Sequence, residues 1–237
     1  MSHHTSHTPF SSSPLAGVPV VLFEDPNVIV VDKPAGLLSQ GELRGDPNLV
    51  DWLRERFGRP YVGLIHRLDR NTSGVMIVAK RTKAAQRLTE ALQTGKICRT
   101  YLAWIQGNLT GPVRWQHWLL KDEKENLVKA VSAHHPRFAQ AKEALLNAQP
   151  HSHGVWASEP VTLAEFVLET GRSHQIRVQS AAQGMPLLGD RKYGGRPDFP
   201  RPALHSWKLR FPHPISKEIL EFEAPLPPEM QKPLKKS

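Results

Sequence analysis

The feature that most constrains this fold is a series of short apolar runs, rich in Val, Ile and Leu, that are separated by turn residues. Two such runs lie on either side of residues 24–27, and the others occupy 61–66, 75–79, 99–106, 162–168, 204–211 and 219–223. Runs of this length between turn residues predict β-strands. Helical patterns are fewer and do not alternate regularly with the strands, which argues against a doubly wound parallel sheet. The sequence therefore predicts an α+β fold with a mixed, largely antiparallel β-sheet core and flanking helices.

Three segments carry the signals of helix ends. Asp46 is predicted to be an N-cap, with Pro47 as the first helical residue and Gly58 at the end of that helix. A second helix is predicted to start at a Thr82 cap and to run through residue 94. A third is predicted over residues 172–183, where apolar side chains fall on one face. These are the helices expected to flank the sheet.

The remaining segments suggest the domain organisation. The charged residues 121–126 are predicted to form a solvated hairpin tip, and residues 149–159 a loop. With 237 residues, one large domain is favoured over two. We expect a disordered leader at 1–17, a single folded domain at 18–228 and a basic C-terminal tail at 229–237, with no accessory domain before the core.

Composition narrows the partners and the compartment. The formal net charge of +9 and the pI of about 9.8 favour a polyanion such as RNA, DNA or an anionic membrane, although the charge could serve solubility alone. No apolar run approaches the ~20 residues that span a bilayer, and the N-terminus lacks a secretory pattern. The lone Cys98 cannot form an internal disulfide, which fits a reducing cytoplasm. The histidine pairs at 134–135 and 151–153 could bind metal, but exposed loop residues are the favoured interpretation.

Asp69 is the first candidate for chemistry. It lies in a turn between two predicted strands, where a carboxylate is held firmly yet can be reached. His66, Arg67 and Arg70 crowd around it, which a plain turn does not require. On spacing alone, a functional carboxylate and a surface Asp–Arg pair of little energetic value are equally favoured.

Two further segments are candidates. Arg172 and Arg177 flank a predicted helix start, where a guanidinium fork and free backbone N–H groups could bind an anion. Tyr101 lies on a predicted strand, and without further information it is more simply a core tyrosine with one hydroxyl partner.

Six motifs in order resemble the RluA family of pseudouridine synthases. They are KPAGLL at 33–38, HRLDRNTSG at 66–74, RTYLAW at 99–104, TGRSHQIRV at 170–178, LLGDRKYGG at 187–195 and LHSWKLRFPHP at 204–214. The resemblance runs from about residue 20 to residue 228, and it departs from the family pattern at Gln179, where a histidine is usual, and in a longer stretch at 133–160. It implies a pseudouridine synthase fold whose single domain is catalytic.

The resemblance also implies roles for individual residues. Asp69 matches the catalytic aspartate, Tyr101 an active-site tyrosine, and Arg177 an arginine that pairs with the aspartate. Ile176 matches an apolar residue beside the base, and Arg67 an arginine that enters the RNA helix as the target base leaves. His66, Arg172 and Lys33, which lie in the matched motifs, are predicted to bind substrate.

The expected function is therefore isomerisation of uridines in structured ribosomal or transfer RNA, with no cofactor and no metal. We expect a cytoplasmic protein, a monomer, that binds RNA and no membrane. One alternative is a non-catalytic RNA-binding protein on the same fold. Another is a hydrolase with two carboxyl groups about 5–10 Å apart, which is disfavoured because the motifs around Asp69 supply arginines in place of a second acid.

Overall fold

The computed structural model describes residues 17–41, 45–58 and 60–231. The predicted leader, apart from residue 17, lies outside the described residues. So does the part of the predicted basic tail that contains its lysines, residues 232–237. The boundaries predicted for these two segments therefore stay predictions.

The described elements are eleven strands, four α-helices and two short 3-10 turns. The strands are β1 (Val20–Glu24), β2 (Val28–Lys33), β3 (Gly63–Leu64), β4 (Ser73–Ala79), β5 (Cys98–Gln106), β6 (Val113–Asp122), β7 (Leu127–Val131), β8 (Lys142–Trp156), β9 (Glu159–Leu168), β10 (Leu204–Pro212) and β11 (Ile219–Glu223). The helices are α1 (Leu49–Phe57), α2 (Thr82–Gln93), α3 (Gln175–Ala182) and α4 (Pro228–Gln231), and the 3-10 turns are Phe138–Gln140 and Arg191–Tyr193.

All of these strands belong to one sheet in the described part of the chain. Its order is β1-β2-β4-β10-β5-β9-β8-β6-β7, with β3 beside β4 and β11 beside β10. Only the short β4–β10 pairing is parallel, and the other pairings are antiparallel. The predicted mixed, largely antiparallel α+β architecture is confirmed.

Alternating side chains give the sheet two apolar faces. In β4, Met76 and Val78 point to one face, while Val75 and Ile77 point to the other, and all four are fully buried. The first face packs against α1 and α3, and α2 covers the second. Because β4 is covered on both sides, its sequence is a continuous apolar run without polar alternation.

The first two helices begin at different residues from those predicted. Asn48, not Asp46, is the N-cap of α1, and its side chain accepts a hydrogen bond from the Asp51 N–H at 3.0 Å. The backbone before it is extended because Asn48 forms a bridge with Leu38. Thr82 is the first residue of α2 and not its cap. The predicted helix end at Gly58 is confirmed, since this residue has the left-handed conformation with φ of 61°.

The third helix and the region before it also differ from the prediction. Helix α3 begins at Gln175 and not at residue 172, because His174 takes a positive φ of 53°. Residues 149–159 do not form a loop but continue the β8–β9 hairpin, which turns at Ala157 and Ser158. The outer part of this hairpin carries exposed polar side chains on both faces, so it lacks the apolar alternation that marks a strand. The predicted tip at 121–126 is confirmed by the β6–β7 hairpin.

Gly74 fixes the place where the Asp69 loop enters the sheet. It has a φ of 113°, and a Cβ atom at this position would lie 2.1 Å from the backbone oxygen of Ser206. Only glycine permits both this conformation and this approach. The loop end is thereby held against β10, where the parallel β4–β10 pairing begins.

Candidate active site

The Asp69 loop borders an open cleft of about 1200 Å³ on the first face of the sheet. The cleft is lined by residues 64–72, by Arg99 and Tyr101 of β5, and by residues 168–177, which lead into α3. It therefore brings together three of the segments that the sequence singled out, although they are far apart along the chain.

Hydrogen bonds from residues 36–39 to the backbone of the Asp69 loop hold this loop in place. The Ser39 hydroxyl donates to the Leu68 carbonyl at 2.7 Å and accepts from the Leu68 N–H at 3.1 Å. The Gly36 N–H donates to the Arg70 carbonyl at 2.8 Å. The residues on both sides of Asp69 are thus fixed, and its carboxylate is positioned by a rigid backbone.

Lys33 binds the same loop from the protein interior. Its ammonium group is fully buried and donates to the carbonyls of Pro34, Leu37 and Arg70 at 2.9, 2.7 and 3.3 Å. Burial, reinforced by the nearby Arg201 charge, lowers the pKa of Lys33 to about 7. The prediction that Lys33 binds substrate does not fit this placement, because its donors are already used by backbone carbonyls beneath the loop.

Arg177 connects two carboxylates of the site. Its Nη1 atom lies 3.0 Å from Asp69 Oδ2, while its Nε and Nη2 atoms donate to Asp190 at 2.6 and 2.8 Å. Its guanidinium also lies over the Tyr193 ring, 5.0 Å from the centroid. Burial opposes the charge, but the hydrogen bonds and charge of Asp190, with Asp69, outweigh it and raise the pKa of Arg177. The predicted Asp69–Arg177 pair is present.

Asp190 is the residue that sequence reasoning missed. It lies in the motif at 187–195, and its place there is the only signal that the sequence offers for a role of this aspartate. It bears on the hydrolase alternative because it supplies a second carboxylate near Asp69. Its side chain is fully buried and bound at both oxygens by Arg177, so it cannot reach a substrate as a second catalytic acid.

His174 and Tyr193 form a second missed contact with the aspartate. His174 Nε2 lies 3.8 Å from Asp69 Oδ2, and its Nδ1 lies 2.7 Å from the Tyr193 hydroxyl, which accepts a hydrogen bond from the Val128 N–H. Burial, opposed by the Asp69 charge, lowers the pKa of His174, which favours the neutral ring. When Tyr193 donates to Nδ1, that ring carries its proton on Nε2 and directs it towards Asp69.

Tyr101 and Ile176 lie together at the apolar side of the cleft, and the roles predicted for them stay predictions. Both are buried and belong to one cluster with Leu68, and both line the cleft. Burial raises the pKa of Tyr101 against the opposing effects of Arg99 and of the Ser206 hydroxyl. Tyr101 therefore carries a protonated phenol at neutral pH.

The other predicted substrate-binding residues differ in their exposure. Arg67 is exposed at the cleft and has no hydrogen bond or ion pair with any described residue. Arg172 is also exposed, but its Nε donates to the Glu143 carbonyl and its N–H to the Gln175 side chain, so this N–H is not available for an anion. His66 is buried at the edge of the cleft.

Three further findings concern the remaining expectations. Gln179 is fully buried, and its Nε2 donates to the carbonyls of Trp115 and Ala144 at 3.2 Å, which gives this departure from the family pattern a packing role. No group of three or more potential metal ligands occurs in the described part of the chain. Among the same residues, no helix is long and apolar enough to cross a membrane.

Comparison with known families agrees with this arrangement. The family described as RNA pseudouridylate synthase matches residues 27–182 of the chain. The chain belongs to this family. Its members are isomerases, so the predicted enzyme class and the stated resemblance are confirmed.

Individual relatives extend the similarity beyond the matched segment. Ribosomal large subunit pseudouridine synthase D of Nitrosomonas europaea is 36% identical over 228 residues, which cover 89% of this chain but 62% of that protein. The enzyme of the same name from Vibrio cholerae is 33% identical, over 89% of this chain and 68% of its own length. An uncharacterized RNA pseudouridine synthase of Bacillus subtilis, YjbO, is 34% identical, over 91% of this chain and 75% of its own length.

Solved structures show the same fold. Human RNA pseudouridylate synthase domain containing 1 superposes with a TM-score of 0.73 at 29% identity, over 88% of this chain and 83% of that one. The human domain containing 4 superposes with a TM-score of 0.70 at 23% identity, over 89% and 90% of the two chains. The pseudouridine synthase fold predicted from the motifs is therefore confirmed.

The first prediction concerns the buried pair beneath Asp69. Asp190→Asn should lower the free energy of unfolding by about 3 kcal/mol. The amide has no negative charge and only one acceptor oxygen, so the buried Arg177 guanidinium loses its ion pair with residue 190 and one of the two hydrogen bonds to it. Urea denaturation at pH 7 measures this. Asp198→Asn is the matched control, since Asp198 pairs with Arg196 at 3.6 Å on an exposed surface and should cost less than about 1 kcal/mol. Equal losses in the two variants would contradict the assignment.

Proposed function

We propose that this protein converts uridines of structured ribosomal RNA to pseudouridine, with Asp69 as the catalytic carboxylate. The observation that carries the proposal is the junction of Asp69, Arg177 and Tyr101 at one cleft. The reaction breaks the bond between N1 of uracil and C1′ of ribose and forms one between C5 and C1′. The base gains a proton at N1 and loses one at C5, so no atom from a cofactor is needed.

The geometry of Asp69 suits a reaction at the sugar. Its Oδ2 atom is bound by Arg177, whereas its Oδ1 atom accepts no hydrogen bond from the described residues. The free oxygen belongs to a side chain that is 33% exposed. It can therefore attack C1′ as a nucleophile or remove a sugar proton as a base, and the proposal covers both first steps.

Tyr101 is proposed to act at C5 of the rotated base. Its phenol is protonated because burial raises its pKa. A protonated phenol cannot itself be the initial base, but its oxygen can take the C5 proton as the phenol releases its own proton to solvent in the open cleft. Ile176 is proposed to pack against the face of the uracil, since it lines the cleft within the same apolar cluster.

Ribosomal RNA is the proposed substrate because two of the relatives described above are named for the ribosomal large subunit. Transfer RNA is the alternative, and a cytoplasmic location belongs to the same proposal. A non-catalytic RNA-binding protein would share the basic charge, but it has no use for a carboxylate with one free oxygen at the floor of the cleft. We therefore favour the enzyme.

The second prediction tests the catalytic role. Asp69→Asn should reduce tritium release from 5-tritiated uridine in an unmodified bacterial large-subunit ribosomal RNA transcript by at least about 1000-fold, because the amide is neither nucleophile nor base. Filter binding should still detect the RNA complex. Asp198→Asn, an exposed aspartate outside the cleft, should retain wild-type release. An Asp69→Asn variant with wild-type turnover would refute the catalytic assignment.

The third prediction concerns the RNA class. Carbodiimide-stopped reverse transcription should map a pseudouridine in large-subunit ribosomal RNA that is present in cells with this gene and absent after its deletion. Expression of the wild-type protein should restore the stop, whereas the Asp69→Asn protein should not. Loss of a stop in transfer RNA alone would replace ribosomal RNA with the alternative substrate.

The fourth prediction concerns base flipping. Arg67→Ala should slow the stopped-flow fluorescence change of a 2-aminopurine next to the mapped uridine by about tenfold, while equilibrium binding changes less. The physical reason is that an exposed, unpaired guanidinium can stack in the space that the base leaves. Arg210→Ala removes the same charge from an exposed side chain outside the cleft and serves as the control. Equal flipping rates in these two variants would disprove the role of Arg67.

A further inference from the structure

Two buried N–H donors at the cleft have no acceptor within the described part of the chain. They are the Nε of Arg99 and the Nδ1 of His66. Both residues are 8% exposed, and both line the cleft. These two atoms have almost no accessible surface, but the terminal nitrogens of the same Arg99 guanidinium also have no partner among the described residues. A buried guanidinium without a partner is costly, so its place at the cleft indicates an acceptor that arrives with the substrate.

The protonation of His66 follows from its other contact. Its Nε2 accepts a hydrogen bond from the backbone N–H of Ile77 at 3.3 Å, so this nitrogen carries no proton. Burial and the Arg99 charge lower the pKa of His66 to about 3, which keeps the ring neutral. A neutral ring with an accepting Nε2 has its single proton on Nδ1, and this proton is therefore a donor without an acceptor.

Arg99 differs from the other buried arginines in its partners. Arg177 is paired with Asp190, and Arg201 is paired with Glu229 at 2.7 Å. No carboxylate of the described residues forms an ion pair with Arg99. A buried cation without a counter-charge is unfavourable. A neutral acceptor such as a uracil carbonyl would satisfy the hydrogen bonds of Arg99 but would not neutralise its charge. The missing partner is therefore an anion.

The position of Arg99 specifies which anion of the RNA can reach it. Arg99 and Tyr101 are two residues apart on β5, so their side chains leave the same face of the strand about 7 Å apart. Every nucleotide has a phosphate on both sides of its sugar, so an RNA whose uracil lies at Tyr101 has a backbone phosphate within reach of Arg99.

We propose that Arg99, with the neutral His66 in the same lining, forms a binding subsite for one phosphodiester group of the RNA, next to the nucleotide that is isomerised. The inference rests on the proposed function for the identity of the polymer, and its geometry stands on the unpartnered guanidinium at the cleft. The terminal nitrogens of Arg99 supply the charge and the planar donor edge that suit a phosphate. The subsite holds the strand and does not take part in the bond rearrangement.

Gly171 offers a way to disturb the subsite without removing any of its donors. A Cβ atom on this residue would lie 2.8 Å from Nη1 of Arg99, and its backbone φ needs no glycine. Because the atom that it meets is the end of a flexible side chain, Gly171→Ala should displace the guanidinium and leave the fold intact. Gly111→Ala is the matched control, since a Cβ there meets nothing within 4 Å.

The fifth prediction is that loss of the Arg99 phosphate contact weakens the salt dependence of RNA binding. The probe is a fragment of unmodified large-subunit ribosomal RNA that contains the mapped uridine, and the measurement is the slope of log Kd against log KCl concentration. Loss of one phosphate contact should reduce the slope by about 0.7 to 0.9. We expect this reduction in Arg99→Gln and in Gly171→Ala, together with roughly tenfold weaker binding at low salt, and no change in Gly111→Ala.

A neutral methylphosphonate at single linkages beside the target provides a second readout. At one linkage it should weaken wild-type binding about tenfold but have little further effect on Arg99→Gln, since the charge pair is already lost. Folded Arg99→Gln and Gly171→Ala proteins with wild-type slopes, even with reduced turnover, would overturn the subsite. Absence of tritium release from the wild type would reject the proposed function, whereas the slope comparison would still decide the phosphate contact.

Discussion

The buried guanidinium of Arg177 is the interaction on which the rest of the site depends. It comes from α3, and it binds Asp190 with two nitrogens and Asp69 with a third. Removing such a charge from water is costly unless it is paired and fully hydrogen-bonded. The fully buried Asp190 carboxylate compensates the desolvation of Arg177, so Asp69 can pair with the same guanidinium and remain partly exposed. The aspartate at the cleft can therefore be oriented by Arg177 and still keep one oxygen for the substrate.

Because Asp69 stays partly exposed, its position depends on hydrogen bonds that hold the backbone of its loop. A catalytic carboxylate must be held to within a fraction of an ångström, and a loop is a poor support unless other groups fix it. Here Ser39 fixes the residue before Asp69, and Lys33 with Gly36 fixes the residue after it. Lys33 is buried beneath the loop with carbonyl acceptors for its ammonium group, which explains why this lysine does not line the cleft.

Short-range patterns predict the apolar strands, but such patterns alone leave Asp69 equally well explained as a surface residue and favour a core role for Tyr101. The ordered motifs that resemble a known family are what single out these two side chains. Asp190 could not be found in this way, because its role depends on a guanidinium from another element, 13 residues earlier in the chain. The outer part of β8 was missed for a related reason: residues 149 and 151–153 are exposed polar side chains on both faces, so their sequence has no apolar alternation and only the pairing with β9 marks a strand.

The pairing of the buried arginines divides the cleft into two chemical regions. At Arg177 the positive charge is paired with two aspartates, so this end of the cleft has no unpaired positive charge and presents a carboxylate, a protonated phenol and an apolar side chain. At Arg99, two residues from Tyr101 on the same strand, the charge has no carboxylate among the described residues. In the proposed complex, the region without an unpaired cation suits the neutral uracil, whereas the unpaired cation suits a phosphate of the strand. The same face of one strand can thus distinguish base from backbone by charge alone, without reading the identity of neighbouring bases.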